Sequence, residues 1–327
     1  MTMPSHLRIH IENDPTAPSL MVEEQALRQR LNGITGVSAA ISINNTGQSE
    51  PVGHDADILL ACRKMNIAEA RAANPNLRFV QTISAGVEAY LDHLPADVSL
   101  ANASGVHAAK GAEFILCAAL MLNFNIPQFV TDKAHCVWAP RFGGTIAGQT
   151  ILMLGVGSIG SAAARTLRSQ GAHVIGVTRS GSPHKDLDEL YPVEHLDQLL
   201  ERADLVVCTL PLTQGTRNLM SAGRLARLKP KCGIINVGRA GVFDYQALEA
   251  RLRSGELSGA VLDVFPEEPL PISHSLWDCP RLVITPHCCL DDHTTYISAC
   301  LDIFVENVAR FARGQDLINE VDRQAGY

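Results

Sequence analysis

A glycine motif, Gly155-Val-Gly-Ser-Ile-Gly160, constrains the fold of this chain more than any other feature. It follows the apolar run Ile151–Leu154 and precedes the small residues 161–164, which predicts a strand, a tight turn and a helix N-terminus. The free N–H groups of such a helix start favour phosphate, so the pattern predicts a dinucleotide-binding turn rather than a turn that only connects two elements. The residues of this predicted site are Gly155, Gly157, Ser158, Ile159 and Gly160.

The end of the next predicted strand, His173–Val177, bears on the choice of cofactor. An NAD site usually has Asp or Glu close to this point, to accept a hydrogen bond from the ribose 2′-OH. Here the chain continues with Thr178, Arg179 and Ser180, a guanidinium between two hydroxyls. These groups suit a 2′-phosphate, so we predict that NADP(H) is preferred and that NAD(H) is possible. The alternative for Arg179 is a solvated side chain at a strand end.

Composition excludes several classes of function. The formal net charge of −7 argues against general affinity for nucleic acid or anionic membranes. No apolar stretch approaches ~18 residues, and no basic flank with an apolar core opens the chain, so we expect neither a membrane span nor export. The nine cysteines include no Cys-x-x-Cys pair, which favours free thiols in a reducing cytoplasm.

The first third of the chain alternates short strands with helices, which predicts a parallel sheet of flavodoxin-like type. The predicted helices cover Val22–Arg30 and Ile67–Ala73. The predicted strands are Leu7–Ile11, Ala39–Ile43, Asp57–Ala61 and Leu77–Gln81.

A second βα series begins at Thr150 and predicts a six-stranded dinucleotide-binding sheet. An apolar helix at about 107–125 precedes it, and a helix at about 291–313 follows and returns to the first domain. We therefore predict an α/β protein of two Rossmann-like domains: a discontinuous substrate-binding domain, 1–104 and 288–327, and a cofactor domain, 105–287. The six predicted strands are Ile151–Leu154, His173–Val177, Leu205–Leu210, Gly233–Val237, Gly259–Val264 and Leu282–Thr285.

Three polar residues follow strands of this second series, where ligands bind in open α/β sheets. Reducing a carbonyl by hydride transfer needs a proton donor, a role suited to His287 because histidine titrates near neutral pH. Glu268 beside it would stabilise the imidazolium and fix its tautomer, and Arg239 would hold an anionic substrate. Each residue alone also has a structural interpretation, as a helix cap, a solvated carboxylate or a packed strand end. Their occurrence at successive strand ends favours catalysis.

The chain resembles the D-isomer-specific 2-hydroxyacid dehydrogenase family, and within it the glyoxylate/hydroxypyruvate reductase branch. The resemblance covers nearly the whole chain and depends on ordered motifs at family-like spacings. These motifs are Ala85-Gly-Val87, the glycine motif, Pro211-Leu-Thr213 with Thr216, Leu228-Lys-Pro230, Asn236-Val-Gly-Arg239, Leu262-Asp-Val-Phe265 with Glu268-Pro269, and Thr285-Pro-His287.

The resemblance implies roles for particular residues. Arg239 would orient the substrate, His287 would act as acid and base, and Glu268 would be the partner of that histidine. The loop Ala85, Gly86 and Val87 would receive the substrate carboxylate on its backbone N–H groups. Trp138 matches a tryptophan that in related reductases reaches across a dimer interface, although a buried structural Trp is an equal alternative. The further positions expected at the cofactor are Leu210, Pro211, Thr216, Val237 and Asp263.

Two segments depart from the family pattern. Cys288-Cys-Leu-Asp-Asp-His293 replaces an apolar residue, two small residues and a threonine, which changes the expected pocket. We reject a metal site on Cys288, Cys289 and His293 because adjacent cysteines lack the spacing of zinc pairs. The basic pair Arg63-Lys64 follows a substrate-domain strand, and either residue could bind a substrate anion, but a solvated pair is the more ordinary interpretation.

We therefore predict an NADPH-dependent reductase of small 2-oxoacids that gives D-2-hydroxyacids, with His287 as the proton donor. The alternative is a dinucleotide-sensing binding protein of the corepressor type, which has the same residues but little turnover. The apolar 107–125 helix and Trp138 predict a homodimer.

Overall fold

The computed structural model describes residues 6–47, 55–179 and 184–326. The chain forms two compact units, residues 1–106 together with 292–327, and residues 107–291. The chain passes from one unit to the other after residues 106 and 291, whereas the sequence placed these boundaries after residues 104 and 287. Substrate binding by the first unit stays a prediction.

The first unit contains a parallel sheet of five strands in the order β2-β1-β3-β4-β5, the order of flavodoxin-like folds. The strands β1 to β5 are Leu7–Glu12, Ala39–Asn44, Ile58–Ala61, Phe79–Thr82 and Ser99–Ala101. The helices α1 to α3 are Glu24–Leu31, Ile67–Ala73 and Glu88–Leu91, and α10, the last in the chain, is Tyr296–Ala312. The sequence did not predict the three-residue strand β5, and it placed the start of α10 too early.

The second unit contains the predicted doubly wound sheet, but with seven strands instead of six. All are parallel and run in the order β12-β11-β10-β9-β6-β7-β8. The strands β6 to β12 are Thr150–Leu154, His173–Thr178, Glu189–Pro192, Leu205–Cys208, Gly233–Asn236, Gly259–Leu262 and Leu282–Ile284. The helices α4 to α9 are Ala108–Asn123, Ile126–Ala134, Ser158–Ser169, Leu196–Leu200, Ala222–Leu225 and Tyr245–Ser254.

The additional strand is β8, at the edge beside β7. Its four residues are all half-buried, and they include Glu189 and Pro192. Such a strand lacks the apolar run that identifies a buried parallel strand, and proline is tolerated at sheet edges because it donates no backbone hydrogen bond. The prediction of a filled six-stranded sheet was wrong for this reason.

Alternate residues of the central strands enter two apolar cores on opposite faces of this sheet. Leu152 and Leu154 of β6 pack in one core, whereas Ile151 and Met153 pack in the other, beneath α4 and α6. Because both faces are covered, the ligand-binding groups of the unit are confined to its loops and strand ends.

The predicted 107–125 helix corresponds to α4, and a second helix that the sequence did not predict, α5, begins directly after Asn125, which takes a left-handed backbone conformation with φ +54°. Among the described residues no single helix is long and apolar enough to cross a membrane; α4 and α5 reach that length and composition only together, and they are bent by 61°. Large apolar side chains are exposed along and after α5, and we call this the 124–142 surface. Its members are Phe124, Ile126, Val130, Val137, Trp138 and Phe142.

Candidate active site

The glycine motif forms the turn between β6 and α6. Gly155 has φ +93°, and a Cβ on Gly160 would lie 2.3 Å from the carbonyl oxygen of Gly155, so only glycine fits this approach of helix to strand. A Cβ on Gly157 would meet nothing within 4 Å, which leaves space above the turn. The N-cap residue of the 12-residue helix α6 is Gly157, which has no side chain, and Ser158 and Ile159 are the first two residues of the helix. The turn therefore has the helix N-terminus and the room that a pyrophosphate requires.

The neighbouring strand end carries the groups expected at an adenosine ribose. Thr178 is the last residue of β7 and Arg179 follows it on the exposed surface. Ser180 lies outside the described residues. Because β6 and β7 are parallel neighbours, Arg179 lies at the same sheet edge as the glycine turn.

Four further expected cofactor positions lie in the segments that follow β9 and β10. Thr216 donates through its hydroxyl to the carbonyl of Pro211 at 2.7 Å, which closes the loop after β9. A Cβ on Gly155 would lie 3.1 Å from the Leu210 side chain, so Leu210 packs closely against the glycine turn. Val237 is buried directly after β10. These contacts shape the loops at the same carboxyl edge, and cofactor contact by these residues stays a prediction.

Arg239 follows β10 in a turn organised by a fully buried amide. Asn236 accepts a hydrogen bond from the Gly238 N–H at 3.1 Å and donates to the Arg239 carbonyl at 3.3 Å. A Cβ on Gly238 would lie 2.6 Å from the Leu210 carbonyl, so this turn packs tightly against the loop after β9. Arg239 is half-buried, and its Nη1 donates to the Gly238 carbonyl at 3.0 Å.

His287 and Glu268 form a hydrogen-bonded pair across two strand ends. Nδ1 of His287, after β12, lies 2.6 Å from Oε2 of Glu268, which belongs to the loop after β11. The other carboxylate oxygen of Glu268 accepts from the Phe265 N–H at 2.8 Å. The side chains of His287 and Glu268 are 48% and 35% exposed, so this pair is open to a ligand.

The pKa of Glu268 is lowered by its surroundings. Burial raises the pKa of Glu268, but the hydrogen bonds from His287 and Phe265 and the charges of His287 and Arg239 together hold it below its usual value. The carboxylate is therefore ionised near neutral pH and can only accept, so Nδ1 of His287 carries a proton. Arg239 follows β10, the strand next to β11, and its charge favours the ionised form of Glu268.

Asp263 lies between Arg239 and His287 in strand order, immediately after β11, and is buried. Its Oδ1 accepts a hydrogen bond from the Thr285 hydroxyl at 2.6 Å. Its backbone N–H donates to the Asn236 carbonyl at 3.0 Å. These two hydrogen bonds join the ends of β10, β11 and β12 through Asn236, Asp263 and Thr285.

The predicted substrate loop belongs to the first unit and connects β4 to α3. Its Gly86 N–H donates to the Ser84 hydroxyl at 3.1 Å, and its Ala85 carbonyl accepts from Asn102 at 3.1 Å, while Val87 caps α3. These bonds fix the loop within its own unit. Its contact with substrate stays a prediction.

Arg63 also belongs to the first unit, and it is bound to a buried carboxylate. Its Nε and Nη2 donate to Oε2 of Glu12 at 3.1 and 2.9 Å, and the Glu12 side chain is fully buried. Lys64 is exposed. The arginine of the basic pair thus compensates a buried charge, which a simple solvated pair would not do.

In the described part of the chain, His, Cys, Asp and Glu side chains form no group of three suited to a metal ion. Cys288 is exposed, whereas the Cys289 side chain is buried. His293 lies in the other unit, where its Nδ1 is 2.9 Å from the Ser19 hydroxyl.

Sequence reasoning missed two polar residues that support the site, the buried Asn236 and the half-buried Thr285. Asn236 interrupts the apolar strand Gly233–Asn236, and a polar amide at a buried strand end is a signal for a structural hydrogen bond. Thr285 was noted only as part of a family motif. Its bond to Asp263 depends on the pairing of β11 with β12, which no local pattern reveals.

A doubly wound parallel sheet with a glycine turn at its first strand, β6, defines the class of dinucleotide-binding α/β proteins. Residues 116–289, more than half of the chain, match the family model of the D-isomer specific 2-hydroxyacid dehydrogenase, NAD binding domain. The chain belongs to this family of oxidoreductases, which act on small 2-hydroxyacids and 2-oxoacids.

Named relatives and solved structures agree with this membership. The chain is 32% identical to the glyoxylate/hydroxypyruvate reductase B of Pectobacterium atrosepticum, over 76% of this chain and 80% of that protein. A D-isomer specific 2-hydroxyacid dehydrogenase from Xanthobacter autotrophicus Py2, in complex with NADPH and MES, is 30% identical with a TM-score of 0.83, covering 98% of this chain and all of that one. An NADPH-dependent glyoxylate/hydroxypyruvate reductase from Sinorhizobium meliloti, in complex with NADP and sulfate, is 26% identical with a TM-score of 0.79, at coverages of 98% and 100%.

Proposed function

We propose that this protein is an NADPH-dependent reductase of small 2-oxoacids, of the glyoxylate and hydroxypyruvate type, that forms D-2-hydroxyacids. The observation that carries the proposal is the 2.6 Å pair of His287 and Glu268, with the charge of Arg239 beside it. These groups lie at the ends of β10 to β12, on the carboxyl edge of the sheet that holds the glycine turn. The names of the relatives support the choice of substrate.

The residues of this edge fit a dinucleotide. The N-terminus of α6 and the open space above Gly157 suit a pyrophosphate, and Arg179 with Thr178 suits the additional phosphate of NADP. When bound, this cofactor supplies the hydride for the reduction. Arg179 is followed by no carboxylate before Asp186, so no negative charge in that stretch of sequence opposes the phosphate. NADP(H) is accordingly the proposed cofactor, with NAD(H) as a weaker substitute.

The chain's own residues supply the acid and base chemistry. Since Glu268 accepts from Nδ1 of His287, the opposite ring nitrogen, Nε2, is the one that protonates the substrate oxygen during reduction. Glu268 stabilises the imidazolium that precedes this proton transfer. Arg239 binds the carboxylate of the 2-oxoacid and polarises its carbonyl, a role that suits a planar guanidinium.

A substrate panel tests this proposal. Purified protein is assayed with NADPH and with NADH against glyoxylate, hydroxypyruvate, pyruvate and a bulkier 2-oxoacid, and the configuration of the product is determined by chiral chromatography. We expect the highest kcat/KM for NADPH with the first two acids, and a D product from hydroxypyruvate. Tight NADPH binding without turnover of any acid would reject the proposal in favour of a dinucleotide-sensing protein.

We also propose that the protein is a homodimer through the 124–142 surface. Trp138 and Phe142 are each 96% exposed, and large apolar side chains left exposed within one segment are typical of contact sites. A groove on α4 beside Phe124 continues the surface and is lined by Glu113, Leu116, Cys117, Leu120, Met121, Phe124 and Ile126.

A cytoplasmic location is a further proposal, and it depends on the thiols. All nine cysteines are free, and six of them are buried in apolar surroundings. Thiols in this number keep their reduced form in a reducing compartment. Localisation of a tagged full-length protein in its source cells tests this proposal.

A further inference from the structure

The first residue of α9, Tyr245, is a buried tyrosine at the carboxyl edge of the sheet, with 8% of its surface exposed. Its hydroxyl donates to the carbonyl of Val264, in the loop after β11. The same hydroxyl accepts from the side-chain amide of Asn236, the last residue of β10, at 3.3 Å. Tyr245 therefore bridges the ends of β10 and β11.

The directions of these hydrogen bonds are fixed by their partners. A backbone carbonyl can only accept, so Tyr245 gives its single hydroxyl hydrogen to Val264 and can only accept from Asn236. Nδ2 of Asn236 donates to this hydroxyl and to the Arg239 carbonyl, while Oδ1 accepts from the Gly238 N–H. Because Asn236, Tyr245 and Val264 are all buried, loss of the hydroxyl would leave a buried donor and a buried acceptor without this partner, which is costly.

The ring of Tyr245 supports the segment that bonds Glu268. It packs edge-on against the Phe265 ring, with centroids 6.3 Å apart and planes at 71°. The Phe265 N–H donates to Oε1 of Glu268 at 2.8 Å, and Oε2 of the same carboxylate lies 2.6 Å from Nδ1 of His287. The hydroxyl and the ring of Tyr245 thus hold two consecutive residues of the loop that orients the carboxylate.

We propose that Tyr245 is a positioning residue, which fixes the separation between Arg239 and Glu268. Its hydroxyl is connected to the Arg239 turn through Asn236, and its hydroxyl and ring together hold the segment that bonds Glu268. This inference rests on the proposed function, in which the arginine binds the substrate carboxylate while the histidine beside Glu268 protonates the carbonyl. A 2-oxoacid carries these two groups on adjacent carbon atoms, so a change in the separation displaces the substrate from one of them.

The test is Tyr245→Phe, which removes the hydroxyl and keeps the ring. We expect kcat/KM for glyoxylate to fall roughly tenfold, through a lower kcat and a higher KM, with the KM for NADPH unchanged. Tyr191→Phe is the matched control, since Tyr191 belongs to the same unit and its hydroxyl donates to Glu189 within the edge strand β8. It should leave these constants unchanged. If Tyr245→Phe does not fold, Asn236→Ser, which removes the amide from the Arg239 turn, carries the same kinetic comparison.

A double-mutant cycle separates positioning from a general loss of activity. Arg239→Lys keeps the charge but removes the planar guanidinium, whose contact with a carboxylate depends on exact placement. If Tyr245 acts by placing that guanidinium, Tyr245→Phe should lower kcat/KM by about threefold or less in the Arg239→Lys background, instead of tenfold. A full tenfold loss in both backgrounds would overturn the proposal, because the two residues would then act independently.

A second readout does not require turnover. Ring ¹⁵N spectra of histidine-labelled protein, with His287 identified by its loss in a His287→Gln variant, report which ring nitrogen is protonated when the ring is neutral. We expect a single tautomer with Nδ1 protonated in the natural protein and in Tyr191→Phe. We expect a mixture in Tyr245→Phe, because Glu268 is no longer held against the ring.

The two readouts distinguish failure of this inference from failure of the proposed function. Absence of any 2-oxoacid turnover would reject the proposed function, but the His287 spectrum would still decide the positioning role. The positioning role is overturned if Tyr245→Phe has the same His287 spectrum as the natural protein, or the same kinetic constants as Tyr191→Phe.

Discussion

Glu268 and His287 are separated by 19 positions in sequence, yet the carboxylate Oε2 and the ring Nδ1 lie 2.6 Å apart. The contact exists because β11 and β12 are parallel neighbours, so the segments that follow them meet at one edge of the sheet. The fixed Nδ1–H···O bond directs Nε2 away from Glu268. The His287 ring therefore has Nδ1 for orientation and Nε2 available for proton transfer.

The two members of the pair should differ in their effect on rate. We expect His287→Gln to lower kcat by about 10²- to 10⁴-fold, because the proton donor is lost. Glu268→Gln should lower it by about 10- to 100-fold, because the ring loses its charged partner but keeps its nitrogens. Steady-state kinetics with glyoxylate measure both effects, and NADPH fluorescence confirms that the cofactor still binds.

Glu267→Gln is the control for this series, since Glu267 is the adjacent exposed carboxylate. Its kcat should equal that of the natural protein. A His287→Gln enzyme with near-normal turnover would remove His287 from the mechanism, and equal losses in Glu267→Gln and Glu268→Gln would remove the specific role of Glu268.

The direction of the reaction should set its pH dependence. Reduction requires the imidazolium and oxidation requires the neutral ring, so kcat/KM should fall with rising pH for the 2-oxoacid and rise for the 2-hydroxyacid. The lowered pKa of Glu268 keeps its carboxylate ionised across the working range, so this residue adds no second inflection near neutrality. Initial rates in both directions from pH 5 to 9 test the expectation. Parallel profiles would contradict it.

The sequence identified the strand ends of the second unit because local patterns encode them. The glycine motif, the apolar run before it and the polar residues Arg239 and His287 all follow from residue type and spacing. The β8 edge strand was missed because a half-buried strand with Glu189 and Pro192 has no apolar signature. The helix α5 was not predicted; it begins directly after the left-handed Asn125, where the predicted apolar helix ends.

The support beneath the site was harder to predict than the site itself. Asp263 was assigned to the cofactor by family resemblance, whereas the structure shows its carboxylate bonded to the turn around His287. This arrangement depends on the register between β11 and β12 and on the left-handed conformation of His287, whose φ is +49°. Tertiary pairing decides both, and neither leaves a periodic trace in the sequence.

Arg179 should determine the preference between the two nicotinamide cofactors. We expect Arg179→Ala to raise the KM for NADPH about tenfold, since it removes a charge-assisted bond to the 2′-phosphate at an exposed position, and to leave the KM for NADH unchanged. Arg253→Ala is the control, because Arg253 pairs with Glu249 and Asp278 elsewhere on the surface. An equal rise in KM for both cofactors would show that Arg179 does not contact the 2′-phosphate.

The 124–142 surface should hold two copies of the chain together. Val130, on α5, is 61% exposed, so Val130→Asp places a charge on that surface without disturbing the core. We expect the natural protein to sediment as a dimer and the variant as a monomer at micromolar concentration in analytical ultracentrifugation. Ile272→Asp is the control, since Ile272 is 98% exposed but lies outside this surface. A monomeric natural protein, or a dimeric Val130→Asp, would contradict the proposal.

Glu189, on the edge strand β8, should make the stability of the second unit depend on acid pH. Hydrogen bonds from Arg202, Tyr191 and His173 lower the pKa of Glu189 from 4.5 to about 2. A carboxylate with a lowered pKa stabilises the folded state at pH values above 4.5, and this contribution is lost as the pH falls toward 2. Since the side chain is partly exposed, we expect Glu189→Gln to lower the free energy of unfolding by about 1 kcal/mol at pH 7.

Urea denaturation at pH 7, 5.5 and 4 measures this difference, with Glu194→Gln as the control because Glu194 is an exposed carboxylate close by in sequence. The deficit of Glu189→Gln relative to the natural protein should be constant from pH 7 to 5.5. It should begin to shrink as the pH falls through 4.5, because the unfolded state of the natural protein then takes up a proton that the folded state, with its lowered pKa, does not. A deficit that stays constant to the lowest pH, or that grows with acid, would show that Arg202 does not stabilise the ionised Glu189.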